Sequence, residues 1–360
     1  MNLIEYDKAG AFNLLQNCLE VKPDDRVLLV CEDPKFGWYD NEISTLLASA
    51  VQDLGAEAST IRVGTPDDDL PEDYEQLLSQ HDTIIYLARI GDQDRFTDNL
   101  PGKSVAMLYT RDVAALSSTY ASVNHKAMKE FKAAVDRVSF GAREITVACP
   151  LGTELICPLD DQDLEPDGEV AIRRFPLCVP QPILARRMSG KVALTRWLTP
   201  TGSQSYAPAS CKIEGIVFAL VEQGRIVGFE GEGSSVVAIE AHYEMVSRRF
   251  GIDKYAIHSW HAGIHPACFY TGGIDDNPDR WSNNIFGSPR FAHFHTCGGY
   301  PPGEICWMVL DPTIKIDGTP LWEDGRLLDQ NFEPTANVVL KRPELQELVS
   351  HPRPTVGLDS

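Results

Sequence analysis

Several features that define common protein classes are missing from this sequence. Its nine cysteines are an odd number, are widely spaced and include no CxxC pair, which indicates reduced thiols rather than a disulfide framework. No apolar run approaches the roughly 20 residues that a transmembrane helix needs, and the start lacks a signal-peptide pattern. These absences predict a protein of the cytoplasm with no membrane partner.

Positive charge is also scarce. Lys and Arg number 32 against 52 Asp and Glu, which gives a net charge of −20. A surface with this balance repels phosphate backbones, so nucleic acid is not expected as a partner. Neither GxGxxG nor GxxxxGK[ST] occurs, and the sequence therefore offers no dinucleotide cradle or P-loop.

The first part of the chain alternates strand and helix patterns. The apolar runs RVLLVCE, TIIYLARI and SVAMLYT are typical of buried strands, and helical spacing of apolar residues covers 42–54 and much of 114–138. Strands that alternate with helices indicate a parallel sheet covered on both faces. Residues 1–140 are therefore predicted to form a layered α/β domain.

The pattern changes beyond Gly141 to short β-prone runs broken by Pro and Gly, namely EITVACP, TELICPL and EVAIRRF. The run KIEGIVFALVEQGRIVGFEG predicts a hairpin that turns at Gln223-Gly224, and a helix is expected over 234–250. We predict a mixed, β-rich domain over 141–348 that carries the active site, followed by a flexible tail over 349–360. The fold class is thus α/β with a β-rich second domain.

Residues that bind metals or move protons are concentrated between His258 and Asp317. They are His258, His261, His265, His293, His295, Tyr300, Glu304 and Cys306. Histidine, carboxylate and thiolate are the main protein ligands of catalytic divalent metals. The HxxxH of His261 and His265 lacks the Glu of HExxH, and Gly263 and Pro266 favour a loop there.

The HFH segment places two imidazoles on one side of a predicted strand. His293 and His295 point to one face and Phe294 to the other, because side chains alternate along a strand. Two imidazoles on the same face can share a metal. The alternative is that they only form hydrogen bonds with loop carbonyls.

Four segments carry a family resemblance over nearly the whole chain: VKPDDRVLLV, the GTEL of 152–155, EGIVFALVEQGRIV and DPTIKIDGTPLWEDGRL. Together they resemble the aminopeptidase T-like thermophilic metallopeptidases and the related 2,5-dihydroxypyridine 5,6-dioxygenases. The resemblance implies an N-terminal α/β domain, a C-terminal domain with a metal site, and a homodimer.

The ligand pattern departs from both groups. The peptidases imply a two-metal site made from two Glu, a His followed seven residues later by Tyr, and a His-x-Asp; His293 and Tyr300 match the His and Tyr. Lys191 falls at the first Glu, which argues against two metals because a charged ammonium cannot bind one. The dioxygenases imply one upstream His, His258 or His261, and the same His-x-Asp, which Glu304-Ile305-Cys306 replaces.

We therefore predict a rearranged mononuclear site for a divalent metal, Fe(II) or Zn(II). The predicted ligands are His258 or His261, His293, Glu304 and Cys306; the predicted catalytic groups are Tyr300, His265 and His295. For Cys306 alone, a buried strand thiol is the alternative.

The expected function is a divergent metal enzyme for a small aromatic, heterocyclic or peptide-like substrate, either a ring-opening oxygenase or an amide hydrolase. The alternative is a catalytically degenerate aminopeptidase-like protein that binds a peptide or small molecule in a biosynthetic pathway. Lys191 and the altered His-x-Asp support that alternative.

Overall fold

The computed structural model describes residues 7–93, 95, 100–160, 172–353 and 355–358. The chain divides into two compact units: the first comprises Met1–Lys129 and Val170–Leu177, and the second comprises Glu130–Glu169 and Cys178–Ser360. The limits expected from the sequence, at residues 140 and 348, stay a prediction about independently folding domains. Residues 354, 359 and 360 of the predicted tail lie outside the described residues.

The strands are β1 Arg26–Glu32, β2 Glu57–Val63, β3 Thr83–Leu87, β4 Ser104–Leu108, β5 Glu144–Ala148, β6 Glu154–Pro158, β7 Arg173–Phe175, β8 Ile183–Leu184, β9 Ser189–Pro200, β10 Cys211–Glu222, β11 Arg225–Gly231, β12 Ile257–Ala262, β13 Phe291–Thr296, β14 Ile305–Leu310, β15 Thr313–Ile316, β16 Thr319–Glu323 and β17 Arg326–Leu327. The α-helices are α1 Ala9–Phe12, α2 Asn41–Asp53, α3 Tyr74–Gln80, α4 Ile90–Gln93, α5 Val113–Leu116, α6 Thr119–Ser122, α7 His125–Phe140, α8 Gly233–Phe250, α9 Pro278–Ile285, α10 Glu333–Lys341 and α11 Pro343–Ser350.

The first unit is built on a parallel sheet, as predicted. Its strand order is β2-β1-β3-β4-β7, and all four pairings are parallel. Helix α2 buries Ile43, Leu47 and Val51, which recur at helical spacing, against the core that β1 shares. Residues 169–171 of the run EVAIRRF lie outside the described residues, and its last three form β7.

A charged cluster lies at the carboxyl end of this sheet, in which Glu32, Asp92, Arg95 and Arg111 are buried and Arg89 is half-buried. Both carboxylate oxygens of Glu32 accept hydrogen bonds from the Nε of Arg89, at 2.9 and 3.0 Å. Arg95 lies 3.3 Å from Asp92, and the guanidinium of Arg111 lies 4.4 Å from the ring centroid of Tyr39. The cluster ties together the segments that follow β1, β3 and β4.

The second unit is built on an antiparallel sheet, so the predicted α/β class with a β-rich second part is confirmed. The sheet runs β17-β16-β15-β5-β6-β9-β14-β13-β12-β8, with the hairpin β10–β11 attached to β9. That hairpin turns at Gln223 and Gly224, whose φ angles of 48° and 71° fit a two-residue turn with a primed geometry. Helix α8 ends at Gly251, which adopts a left-handed φ of 66°.

Three antiparallel strands of this sheet, β12, β13 and β14, carry an aromatic stack on one face. Trp260 lies opposite Phe294, and Phe294 lies opposite Trp307. The ring centroids of Trp260 and Phe294 are 5.6 Å apart, and those of Phe294 and Trp307 are 6.0 Å apart. Each aromatic pair contributes about 0.5–1.5 kcal/mol beyond its buried area, so the stack fixes how the three strands pair.

The segment after β12 is a loop, as Gly263 and Pro266 predicted. Its backbone lies so close to the segment before β13 that a Cβ on Gly263 would come within 2.2 Å of the carbonyl oxygen of Ser288. The backbone N–H of His265 donates to Gly287 at 2.9 Å, and that of Gly263 donates to Phe291 at 3.2 Å. Only a residue without a Cβ permits this approach, which holds the ends of β12 and β13 together.

None of the nine cysteines, all of which lie in the described residues, forms a disulfide bond. Among the described helices, none has both the length and the apolar character that crossing a membrane requires.

Candidate metal centre

The face opposite the aromatic stack carries three histidines. His261 of β12 lies directly opposite His293 of β13, and His295 follows two residues later on the same face. The ring centroids are 5.1 Å apart for His261–His293, 5.3 Å for His261–His295 and 4.9 Å for His293–His295. We call these three residues the histidine triad.

The geometry of the triad is suited to one metal ion. One ring nitrogen from each histidine lies within 4.8 Å of the other two, and the three side chains are buried. Nδ1 of His293 is 3.0 Å from Nε2 of His295. With metal–nitrogen bonds of about 2.1 Å, two neighbouring ligand nitrogens lie about 3.0 to 3.4 Å apart, so this pair already has the required spacing.

The donor set also fits a divalent ion. Neutral imidazole binds zinc, iron, copper and nickel, and three such ligands leave coordination positions open for a substrate or co-substrate. In the part of the chain that the structure describes, this is the one group of three or more His, Cys, Asp or Glu with such spacing.

The triad has apolar neighbours. The ring of Phe286 lies 6.4 Å from that of His261 and 5.9 Å from that of His293, and Met308 is paired opposite His293 on the same face. Phe286 and Met308 are both buried. Apolar walls around a few polar atoms are typical of sites for small ligands.

Cys306 contacts the triad through His293. It lies opposite His295 on β14 and is fully buried, and its sulfur is 2.6 Å from Nε2 of His293. His293 thus has His295 beside one ring nitrogen and Cys306 beside the other.

Glu304 is the centre of a separate hydrogen-bond network just before β14. Its fully buried carboxylate accepts from the hydroxyl of Ser203 at 3.0 Å and from the hydroxyl of Tyr300. Its backbone carbonyl accepts from the hydroxyl of Tyr206 at 2.8 Å. Burial, followed by the hydrogen bond and the charge of Glu304, raises the pKa of Tyr300 above its usual range, so Tyr300 keeps its proton at neutral pH.

No protein-family model matches the sequence, and no curated protein matches it at a significant level. Solved structures that are similar in fold include the following two. The first is 2,5-dihydroxypyridine dioxygenase from Pseudomonas putida KT2440, with a TM-score of 0.58 and 13% identity over 91% of this chain and 98% of that one. The second is AmpT from Thermus thermophilus, with a TM-score of 0.50 and 13% identity over 89% of this chain and 98% of that one.

The chain shares their fold. The resemblance noted in the sequence is therefore confirmed at the level of architecture. At this identity the likeness establishes the fold alone.

The predicted ligands are distributed among three places. His261 and His293 belong to the triad, together with His295, which was predicted as a catalytic group. Glu304 and Cys306 have the contacts given above and are not members of that group of three. His258 is half-buried with its Nδ1 2.9 Å from the hydroxyl of Ser259, and it lines a separate cleft of about 460 Å³.

The predicted catalytic groups also lie in different parts of the second unit. His265 lies in the loop after β12, where it is buried and its backbone carbonyl accepts from the N–H of Cys268 at 2.9 Å. Tyr300 is held by Glu304. Ser203 and Tyr206 carried no signal in the sequence, because they lie about a hundred residues from Glu304, whose carboxylate accepts from Ser203 and whose backbone carbonyl accepts from Tyr206.

Lys191, which falls at a peptidase ligand position, has a different role here. Its ammonium lies 3.3 Å from the carboxylate of Glu154 and 5.4 Å from the ring centroid of Phe218. The side chain of Lys191 is 40% exposed. It therefore forms a surface ion pair between β6 and β9.

Proposed function

We propose that this protein is a metal-dependent enzyme in which His261, His293 and His295 hold one divalent ion, Fe(II) or Zn(II). The observation that carries the proposal is the convergence of three buried imidazoles on one face of the sheet, with their ligand atoms within 4.8 Å of one another and one pair 3.0 Å apart. Three side chains that each cost free energy to bury are difficult to explain as packing alone.

The substrate class follows from the surroundings of the triad. Phe286 and Met308 provide an apolar wall next to His261 and His293, which favours a flat, weakly polar molecule and keeps water away from it. We assign a small aromatic or heterocyclic ring as the substrate. The predicted role of Tyr300 as a proton donor stays a prediction, because its hydroxyl donates to Glu304 and its raised pKa makes it a weak acid.

Ring-opening oxygenation is favoured over amide hydrolysis. A bound divalent ion would supply Lewis acidity or, as Fe(II), the means to use dioxygen. The triad contains no carboxylate, and Lys191 is engaged with Glu154, which together weigh against the two-metal site that the peptidase resemblance implies. One of the similar structures reported above is a 2,5-dihydroxypyridine dioxygenase by name.

The overall reaction balances without a reductant. Both atoms of dioxygen enter the product while one ring carbon–carbon bond breaks, so one dioxygen is consumed for each ring opened. No external electron donor is needed.

The test uses the purified full chain, stripped of metal and reloaded with Fe(II) or Zn(II) separately. It is offered 2,5-dihydroxypyridine with dioxygen, or a peptide amide as the competing substrate. Loss of ring absorbance with equal oxygen uptake, in the Fe(II) form only, would support the proposal. Amide cleavage by the Zn(II) form would replace it with the hydrolase, and failure to retain any ion would favour the degenerate binding protein.

We also propose that the protein is a homodimer, as the resemblance implies. Light scattering coupled to gel filtration gives the mass of the particle in solution, and a monomer would remove this part of the proposal.

A further inference from the structure

His293 lies between two groups that use different nitrogens of its ring. Nδ1 is 3.0 Å from Nε2 of His295, whereas Nε2 is 2.6 Å from the sulfur of Cys306. An imidazole binds a metal ion through one nitrogen, and the tautomer is set by the hydrogen bond that the other nitrogen makes. Nδ1 is the nitrogen on the side of the second triad member, so Nε2 remains for Cys306.

Cys306 has the position of a supporting residue. It is fully buried, and its place on β14 is fixed by pairing with His295 on one side and Thr199 of β9 on the other. Its sulfur does not belong to the group whose ligand atoms all lie within 4.8 Å of one another. The strand therefore presents the sulfur to one histidine and not to the shared centre of all three.

We propose that Cys306 is a positioning residue whose sulfur accepts a hydrogen bond from Nε2–H of His293, thereby holding Nδ1 of His293 ready for the metal ion. This inference rests on the metal-holding role proposed for the triad. Acceptors that contact the far nitrogen of a metal-bound histidine orient the ring, and their removal typically weakens metal binding about 10- to 100-fold. In this chain a buried thiol takes the place that a carboxylate or carbonyl usually has.

Cobalt(II) gives a test that distinguishes a supporting sulfur from a ligand. A thiolate bound to Co(II) produces an intense charge-transfer absorption in the near ultraviolet, and nitrogen ligands alone do not. We expect the Co(II)-loaded wild-type chain to lack this band. Its presence in the wild type, with loss in Cys306→Ser, would make Cys306 a ligand and overturn the inference.

Affinity measurements on two variants give the second readout. Cys306→Ala removes the acceptor and should weaken Co(II) binding about 10- to 100-fold in competition with a chelator. Cys306→Ser keeps an acceptor and should recover most of that loss. Wild-type affinity in both variants would mean that Cys306 is only a buried thiol.

The matched control is Cys297→Ser. Cys297 is also fully buried and directly follows β13, so its replacement removes a thiol from the same region without changing a contact to His293. Its Co(II) affinity should equal that of the wild type, and circular dichroism should show all variants folded.

The two proposals fail in different ways. A wild-type chain that takes up no Co(II) overturns the proposed function, and this inference with it. A wild-type chain that binds Co(II) and loses it in His293→Ala, while Cys306→Ala binds normally, retains the triad and overturns this inference alone.

Discussion

The charged cluster of the first unit and the histidine triad of the second are both largely buried, yet they balance charge in different ways. In the cluster, Arg89 donates to both oxygens of Glu32, and Arg95 lies against Asp92. In the triad, three imidazoles converge, each of which can offer an electron pair to a metal ion, and no carboxylate is among them. The two ion pairs of the cluster balance positive against negative charge within the fold, whereas the triad offers donor atoms to a cation that comes from outside.

Mutations in the charged cluster and in the triad should have independent effects, the first on stability and the second on metal binding. The largest effect is expected for metal binding at the triad. His293→Ala should lower the metal content of reloaded protein from near one ion per chain to below about a tenth, because one of three ligands is gone. Elemental analysis after gel filtration measures this. His258→Ala is the matched control and should keep its ion, since His258 contacts Ser259 and lines a different cleft. Equal loss in both variants would contradict the assignment.

Breaking the charged cluster should affect stability and leave metal binding intact. Glu32→Gln leaves the guanidinium of Arg89 without its counter-charge; because the side chain of Arg89 is 22% exposed, the cost should be about 1–3 kcal/mol of unfolding free energy, measured with urea. Replacing both residues, as Glu32→Gln with Arg89→Met, should recover part of that loss. If Glu32→Gln also emptied the metal site, the two groups would not be independent.

The pH dependence of the unfolding free energy includes a contribution from His242 on α8, which lies outside the triad. Burial lowers the pKa of His242 from 6.5 to about 4. The unfolded chain therefore binds a proton at higher pH than the folded one, and stability is lost as the pH falls from about 6.5 towards 4. The loss should reach about 3 kcal/mol.

His242→Gln should remove its own part of this loss and leave the part due to His125, whose pKa burial also lowers to about 4; urea unfolding at several pH values measures the difference. An unchanged limb would show that other groups, the triad included, dominate acid unfolding.

The smallest effect is expected at Lys191. Lys191→Met removes an exposed ion pair with Glu154, and such pairs contribute about 0–1 kcal/mol. Thermal unfolding should shift slightly and metal content should stay at the wild-type level. A change in metal content would contradict this expectation and would mean that Lys191 contributes to the metal site, as the peptidase resemblance implies for that position.

Much of the fold was predictable because its signals are local. The alternation of apolar strands and amphipathic helices predicted the parallel sheet of the first unit, and Gln223-Gly224 predicted the turn of the β10–β11 hairpin. The position of β7 carried no such signal, since a three-residue strand joins β4 from a distant part of the chain.

The site was partly predictable for the same reason. Alternation along a strand was enough to place His293 and His295 on one face. The choice between His258 and His261 was left open, because it depends on how β12 pairs with β13, where the register shifts between Ile257 and Ser259. Pairing between strands is a non-local property that spacing along one segment does not reveal.

The two faces of β12–β13–β14 have a consequence for how such a protein changes over evolutionary time. The rings of Trp260, Phe294 and Trp307 stack on one face of the strands, while the histidines of the proposed metal site project from the other. Single-codon changes on the second side can exchange a histidine, a thiol or a carboxylate without disturbing what keeps the strands in register. Selection can therefore alter the ion, or the reaction, one mutation at a time on an inherited scaffold.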